Sequence, residues 1–181
     1  MLFAVSIGAA RSQQTPSPAA VKDGAEVATR GARTARDVKY GEWRKVCFTP
    51  AGARTLCRTT ITGTLGTGQT AVRVDLIERE DGTSRLQLFL PVGMYLQAGV
   101  KLSVDQQKVH RLPYTWCVTN MCIAADVADP KLLEEMDGGK ALSVDVVDTS
   151  ILTVTTSVPL DRFATVRKGA PALTLDQAID E

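Results

Sequence analysis

The sequence predicts an all-β fold: an antiparallel β-sandwich or barrel-like domain with one short helix. Three observations carry that prediction. From Val38 onward, short segments alternate apolar and polar residues, and turn-forming residues punctuate them at close spacing. Thr and Val are abundant, as in sheet proteins. Four cysteines in 181 residues suit a small domain stapled by disulfides.

"TAVRVDLIERE" places Val72, Val74 and Leu76 on one face, and "SRLQLFLP" does the same with Leu86, Leu88 and Leu90. Between them stands Asp81-Gly82, a pair whose positive φ angles suit a tight hairpin. "GVKLSVD" alternates Val100, Leu102 and Val104; the Gln-Gln pair after it marks a turn, and "KVHRLPY" returns. "ALSVDVVD" and "SILTVTTSVPL" are two further strands with a break at "DTS". One segment departs from period two. In "DPKLLEEMDGG", Asp129 is an N-cap, Pro130 suits the first helical position, Leu132, Leu133 and Met136 share a face, and Gly138 stops a helix of about two turns.

The start, "MLFAVSIGAARS", has the short apolar run and small residues of a secretory signal peptide over 1–12, without a basic residue before the run. Residues 13–37, rich in Ala, Pro, Gly and charge, read as a flexible linker. The β domain is expected over 38–167, and the tail 168–181 as a weak acidic helix or a frayed end. "GTLGTGQT" reads as a mobile glycine-rich loop. No segment reaches the roughly 18 apolar residues of a membrane span. With 21 basic and 20 acidic residues and 5% aromatics, neither a strong positive field nor a base-stacking surface is present, so nucleic acid is not an expected partner.

Four cysteines allow three connectivities. Cys47 with Cys57 and Cys117 with Cys122 are favoured, because Pro50, Ala51 and Gly52 supply a turn inside the first pair and Asn120 inside the second. A zinc site needs closer pairs than spacings of nine and four intervening residues, and a redox dithiol usually has two residues between its cysteines. His110, the one histidine, fits a surface or packing role, and no catalytic or phosphate-binding motif is present. The expectation is therefore a protein that is not an enzyme and takes no cofactor or metal. Asp75, Glu78, Glu80 and Asp81 read as a solvated strand end balanced by Arg73, Arg79 and Arg85. Trp43 and Trp116 read as core anchors packed against the disulfides. Met94, Tyr95 and Leu96 form an apolar stretch between two glycines, either a binding surface or a buried crossover.

"YGEWRKVC", then "LPVGMYLQAGVKLSVD", "LPYTWCVTNMCIA" and the closing "VPLDRFATVRKG" together resemble the invasion-associated locus B family of exported bacterial proteins. Met121 stands where that family commonly has Gly before its last cysteine. The resemblance implies an all-β envelope or secreted protein with paired cysteines, associated in pathogens with host-cell entry, and it implies no catalytic residues. The function expected is an exported, disulfide-stabilised binding or structural module of the bacterial envelope, periplasmic, secreted or held at the outer membrane. Its partner would be an envelope protein or a host-cell surface component. Two rivals stand beside it: a periplasmic thiol-disulfide protein using Cys117 and Cys122, and an accessory subunit of a membrane complex.

Overall fold

The computed structural model describes residues 26–51 and 54–176; the expected signal peptide, residues 13–25 of the expected linker and residues 177–181 lie outside them. In chain order the elements are β1 (Gly31–Thr34), β2 (Lys39–Tyr40), β3 (Arg44–Thr49), β4 (Leu56–Thr64), β5 (Thr70–Arg79), β6 (Ser84–Pro91), β7 (Val100–Val104), β8 (His110–Leu112), β9 (Tyr114–Val118), β10 (Met121–Val127), α1 (Pro130–Gly138), β11 (Ala141–Val147), β12 (Leu152–Pro159), α2 (Phe163–Lys168) and β13 (Leu173–Asp176). A 3₁₀ turn spans Leu96–Ala98.

These strands form two sheets, β1-β12-β11-β7-β8 and β13-β3-β4-β5-β6-β10-β9, with β2 pairing β4 beside the second. The period-two residues face one another across the gap. Val72, Val74, Leu76, Leu86 and Leu88 of the larger sheet, with Val100, Leu102, Leu142 and Val144 of the smaller, are at most 1% exposed. Each such side chain contributes roughly 1.5–3 kcal/mol of burial free energy, which makes this interface the dominant stabilising term. The sheets join at Pro113, between β8 and β9, whose carbonyl accepts from the Ala125 N–H at 3.0 Å.

One mouth of the sandwich is plugged. The Asp129 carboxylate caps α1 by accepting from the Lys131 N–H at 2.9 Å, and Leu132, Leu133 and Met136 are buried as the sequence pattern requires. α2 follows, a second helix beyond the one expected; its β-branched residues and the absence of a side-chain N-cap at Arg162 hide it from sequence reasoning. Phe163 at its start packs edge-to-face on Trp43 at 4.8 Å, and the Trp43 indole donates to the Pro159 carbonyl at 2.8 Å. Arg167 then ties the plug to the sheet, donating to Glu78 on β5 at 2.9 Å and to Asp137 on α1 at 2.8 Å.

Both sheets gain parallel edges where the sequence pattern pointed to linker and tail. β1 runs parallel to β12 and β13 parallel to β3. Every side chain of both strands is exposed, so backbone ladders rather than burial place them. The turns also differ in detail. Of Asp81-Gly82 only Gly82 has positive φ, 82°, in a three-residue loop closed by the Arg79 N–H donating to the Thr83 carbonyl. The glycine-rich "GTLGTGQT" is not a free loop but a hairpin turn of the same kind, closed by the Leu65 N–H donating to the Gln69 carbonyl, with Gly68 at φ 82°. The β7–β8 turn is centred on Asp105-Gln106, with φ of 47° and 60°, one residue before the Gln-Gln pair.

Gly99, between the 3₁₀ turn and β7, has φ 64° and ψ −170°, a region open essentially to glycine alone, and a Cβ there would stand 3.0 Å from the Leu112 carbonyl oxygen. Gly99→Ala is expected to lower stability by about 2 kcal/mol, read as a reduced urea midpoint with an unchanged slope. An unchanged midpoint would contradict the assigned backbone geometry.

Candidate functional site

Both expected cysteine pairs are disulfides, and no described cysteine is free. Cys47 on β3 is directly opposite Cys57 on β4, and Cys117 on β9 directly opposite Cys122 on β10. Each bond therefore staples a hairpin near one border of the larger sheet. Cys47 and Cys122 are buried at 4% and 3%, whereas Cys117 is exposed on its edge strand.

Strand alternation turns Trp116 away from the inward-facing Cys117. Trp116 is thus not a core anchor but 61% exposed, on the outer face of the larger sheet, while Trp43 is buried at 6% as expected. A row crosses that face: Trp116 opposite Ile123, Ile123 opposite Phe89, Phe89 opposite Arg73. The Arg73 guanidinium stacks 3.6 Å over the Phe89 ring. Arg44, Arg58, Arg79 and Arg85 share the face by the same alternation, with Val127, Leu173 and Leu175 exposed towards its borders. Asp75 lies among them and is no solvated strand end. It is 1% exposed, accepts from the Thr60 hydroxyl, and has Arg73 Nε at 3.3 Å and the Arg58 guanidinium at 3.9 Å. Glu78 points to the opposite face, where it meets Arg167.

At the mouth opposite the helices, the sheets border an open cavity of about 580 Å³. Leu65, Leu90, Met94, Val144, Val146 and Val154 supply its apolar walls, and Arg33 and Arg36, from the expected linker, reach it from the β1 side. Arg33 donates to Asp148 at 2.9 Å. The Asp148 carboxyl is held below its ordinary value of 3.8 by the backbone N–H of Leu152, then by those of Ser150 and the Arg33 guanidinium, against the effect of desolvation.

The three residues of the apolar stretch take different positions. Met94 faces the cavity and bridges to Asp148; Tyr95 is half-buried and donates its N–H to the Val147 carbonyl at 2.7 Å; Leu96 is 43% exposed. The segment is a crossover from β6 to β7 with one side chain in the cavity wall. His110 is a packing residue, with Nδ1 3.3 Å from Asp129 and Nε2 3.1 Å from Glu135, holding β8 against α1. Burial pushes the Tyr114 phenol up, and its oxygen lacks a partner among the described residues. Among the described residues no three His, Cys, Asp or Glu side chains converge as a metal site would require.

Residues 43–171 match the protein family described as Invasion associated locus B (IalB) protein. The chain belongs to the invasion associated locus B family. Its fold is that of a solved relative, the crystal structure of invasion associated protein B from Bartonella henselae, with a TM-score of 0.64 and 22% identity over 71% of this chain and 90% of that one. No curated protein matches the chain. All four cysteines fall inside the segment matched to the invasion associated locus B family, whereas Arg33 and Arg36 precede it. The cavity rim is therefore built partly from residues outside the matched segment.

Replacing both cysteines of a pair by alanine is expected to cost about 2 kcal/mol for 117/122 and about 3 kcal/mol for 47/57, from loop closure over 5 and 10 residues. Guanidinium denaturation of the two double variants checks the order. Asp148 also predicts a pH effect. Because its folded pKa lies below the ordinary 3.8, its stabilisation of the turn is complete above that pH and is lost as pH falls through the folded value. Carboxyl NMR titration should place the midpoint below 3.8, and one at or above it would contradict the turn geometry.

Proposed function

We propose that this protein is an exported, non-catalytic binding module of the bacterial envelope, and that it meets a protein partner through the outer face of its larger sheet. The observation that carries the reading is the composition of that face. Five arginines, Arg44, Arg58, Arg73, Arg79 and Arg85, share it with the single strand carboxylate of Asp75, and Trp116 is exposed on the same face. Arginine and tryptophan are the residue types that dominate interface energetics, and a guanidinium fork suits acidic groups on a partner. The two disulfides support an oxidising compartment such as the periplasm or the cell exterior. The partner is an envelope protein or, in a pathogen, a component of the host-cell surface.

The thiol-disulfide reading keeps one observation in its favour, the exposure of Cys117, which leaves that sulfur open to attack. Against it, Cys117 and Cys122 lie on paired strands, away from any helix N-terminus that would stabilise a thiolate. No helix among the described residues is long and apolar enough to cross a membrane, so an accessory role in a membrane complex would rest on this same face.

A photo-crosslinking residue placed at position 116 in the exported protein should capture a specific partner. Arg44→Glu with Arg85→Glu, two outer-face arginines that do not pair with Asp75, should weaken that capture by about thirtyfold or more, as for loss of interface hot spots, at unchanged thermal stability. If capture fails while Cys122→Ala accumulates mixed disulfides through Cys117, the redox reading replaces this one.

A further inference from the structure

The two mouths of the sandwich differ in a way that the sheet-face reading leaves unused. Helices fill one; the other opens into the 580 Å³ cavity, a volume within the range of small-molecule sites. Its walls exclude most ligand classes. A sugar or nucleotide brings many hydroxyls and amides, each needing a buried partner, but the walls are Leu65, Leu90, Met94, Val144, Val146 and Val154. Two threonines are the neutral polar groups of the lining: Thr34 on the β1 edge, and Thr156 on the inner β12 wall, whose hydroxyl is already bonded to the Tyr40 phenol at 2.6 Å. The lining therefore suits a chain of methylenes better than a polyhydroxylated ligand.

The rim adds a charge requirement. Arg33 and Arg36 both line the cavity, Asp148 pairs with Arg33, and Arg36 has no carboxylate partner among the described residues. Two guanidinium groups against one carboxylate leave one uncompensated positive charge, which one monoanionic head would balance. We propose that the open mouth binds a fatty acid, its acyl chain between the sheets and its carboxylate held at the rim by Arg36 and the free edge of Arg33. Leu65, the first residue of the Leu65–Gln69 turn, lines the entrance.

The test titrates the full chain, stripped of co-purifying lipid, with dodecanoate, dodecanol and lysophosphatidylglycerol by calorimetry. Saturable one-to-one binding of dodecanoate is expected, with Arg36→Ala weakening it about tenfold, the scale of one charge-assisted contact at a partly exposed rim. Dodecanol should bind more weakly and be indifferent to Arg36→Ala. Leu65→Trp, which fills the entrance from a surface turn, should abolish binding at unchanged thermal stability; should that variant not fold, the contrast between dodecanoate and dodecanol in Arg36→Ala decides alone. The proposal is overturned by no saturable binding of dodecanoate, by equal affinity for dodecanoate and dodecanol, or by dodecanoate binding that survives both substitutions. Preference for lysophosphatidylglycerol over dodecanoate overturns it too, because the site would then recognise a phospholipid head.

Discussion

Everything in this molecule depends on one dry interface, the meeting of β5 and β6 with β7 and β11. Val74, Leu76, Leu86 and Leu88 on one side, with Val100, Leu142 and Val144 on the other, are entirely buried, and no polar pair replaces them along that seam. Because strand side chains alternate, burying one face commits the other to the outside. Arg73, Asp75 and Ile77 face outwards for the same reason that Val72, Val74 and Leu76 face inwards. The basic outer surface is thus a consequence of the core rather than a separate feature added to it.

A sandwich made this way has two open mouths and exposed edges, and the chain treats them differently. One mouth receives α1 and α2, drawn in by Met136 and Phe163, which are wholly buried, and fastened by Arg167 between Glu78 and Asp137. Near the borders of the larger sheet, where hairpins have fewer neighbours to hold them, the two disulfides supply covalent register. Among the described residues the second mouth receives no helix, and a pocket opens there over the partly buried Leu65, Met94 and Val154.

What the sequence made legible follows the same physics. The β5–β6 hairpin, β7, β11, α1 and both cysteine pairings could be read because each leaves a local mark: period two, a cap residue, or a turn between cysteines. β1 leaves none, since all four of its residues are exposed and only its ladder to β12 defines it. β13 did carry a mark, Leu173 and Leu175 two apart after Pro171, which a helical reading of the tail obscured. Adjacency to Cys117 hides the placement of Trp116, because strand alternation sets the two side chains on opposite faces. Arg33 and Arg36 carried no signal, because the cavity that gives them meaning is assembled in part from β11 and β12, far along the chain, with Arg33 and Asp148 separated by 115 residues.

The turn that anchors Arg33 also has unusual backbone. Ile151, a β-branched residue, has φ 59°, a conformation such residues rarely adopt. It is held there by its neighbour: the Asp148 carboxylate accepts from the Ser150 and Leu152 N–H groups at 2.9 and 3.0 Å, while its second oxygen accepts from Arg33. One carboxylate thus enforces the turn and fixes a guanidinium at the entrance. Arg33 is placed by that contact before any ligand arrives, so ordering it adds little to the cost of binding. Arg36 is the complement, a cation near the same opening with no carboxylate among the described residues to neutralise it. A strained turn that positions one charge beside an unbalanced second one is what an anion site at the edge of an apolar chamber requires, and neither the disulfides nor the outer sheet face has any need of it.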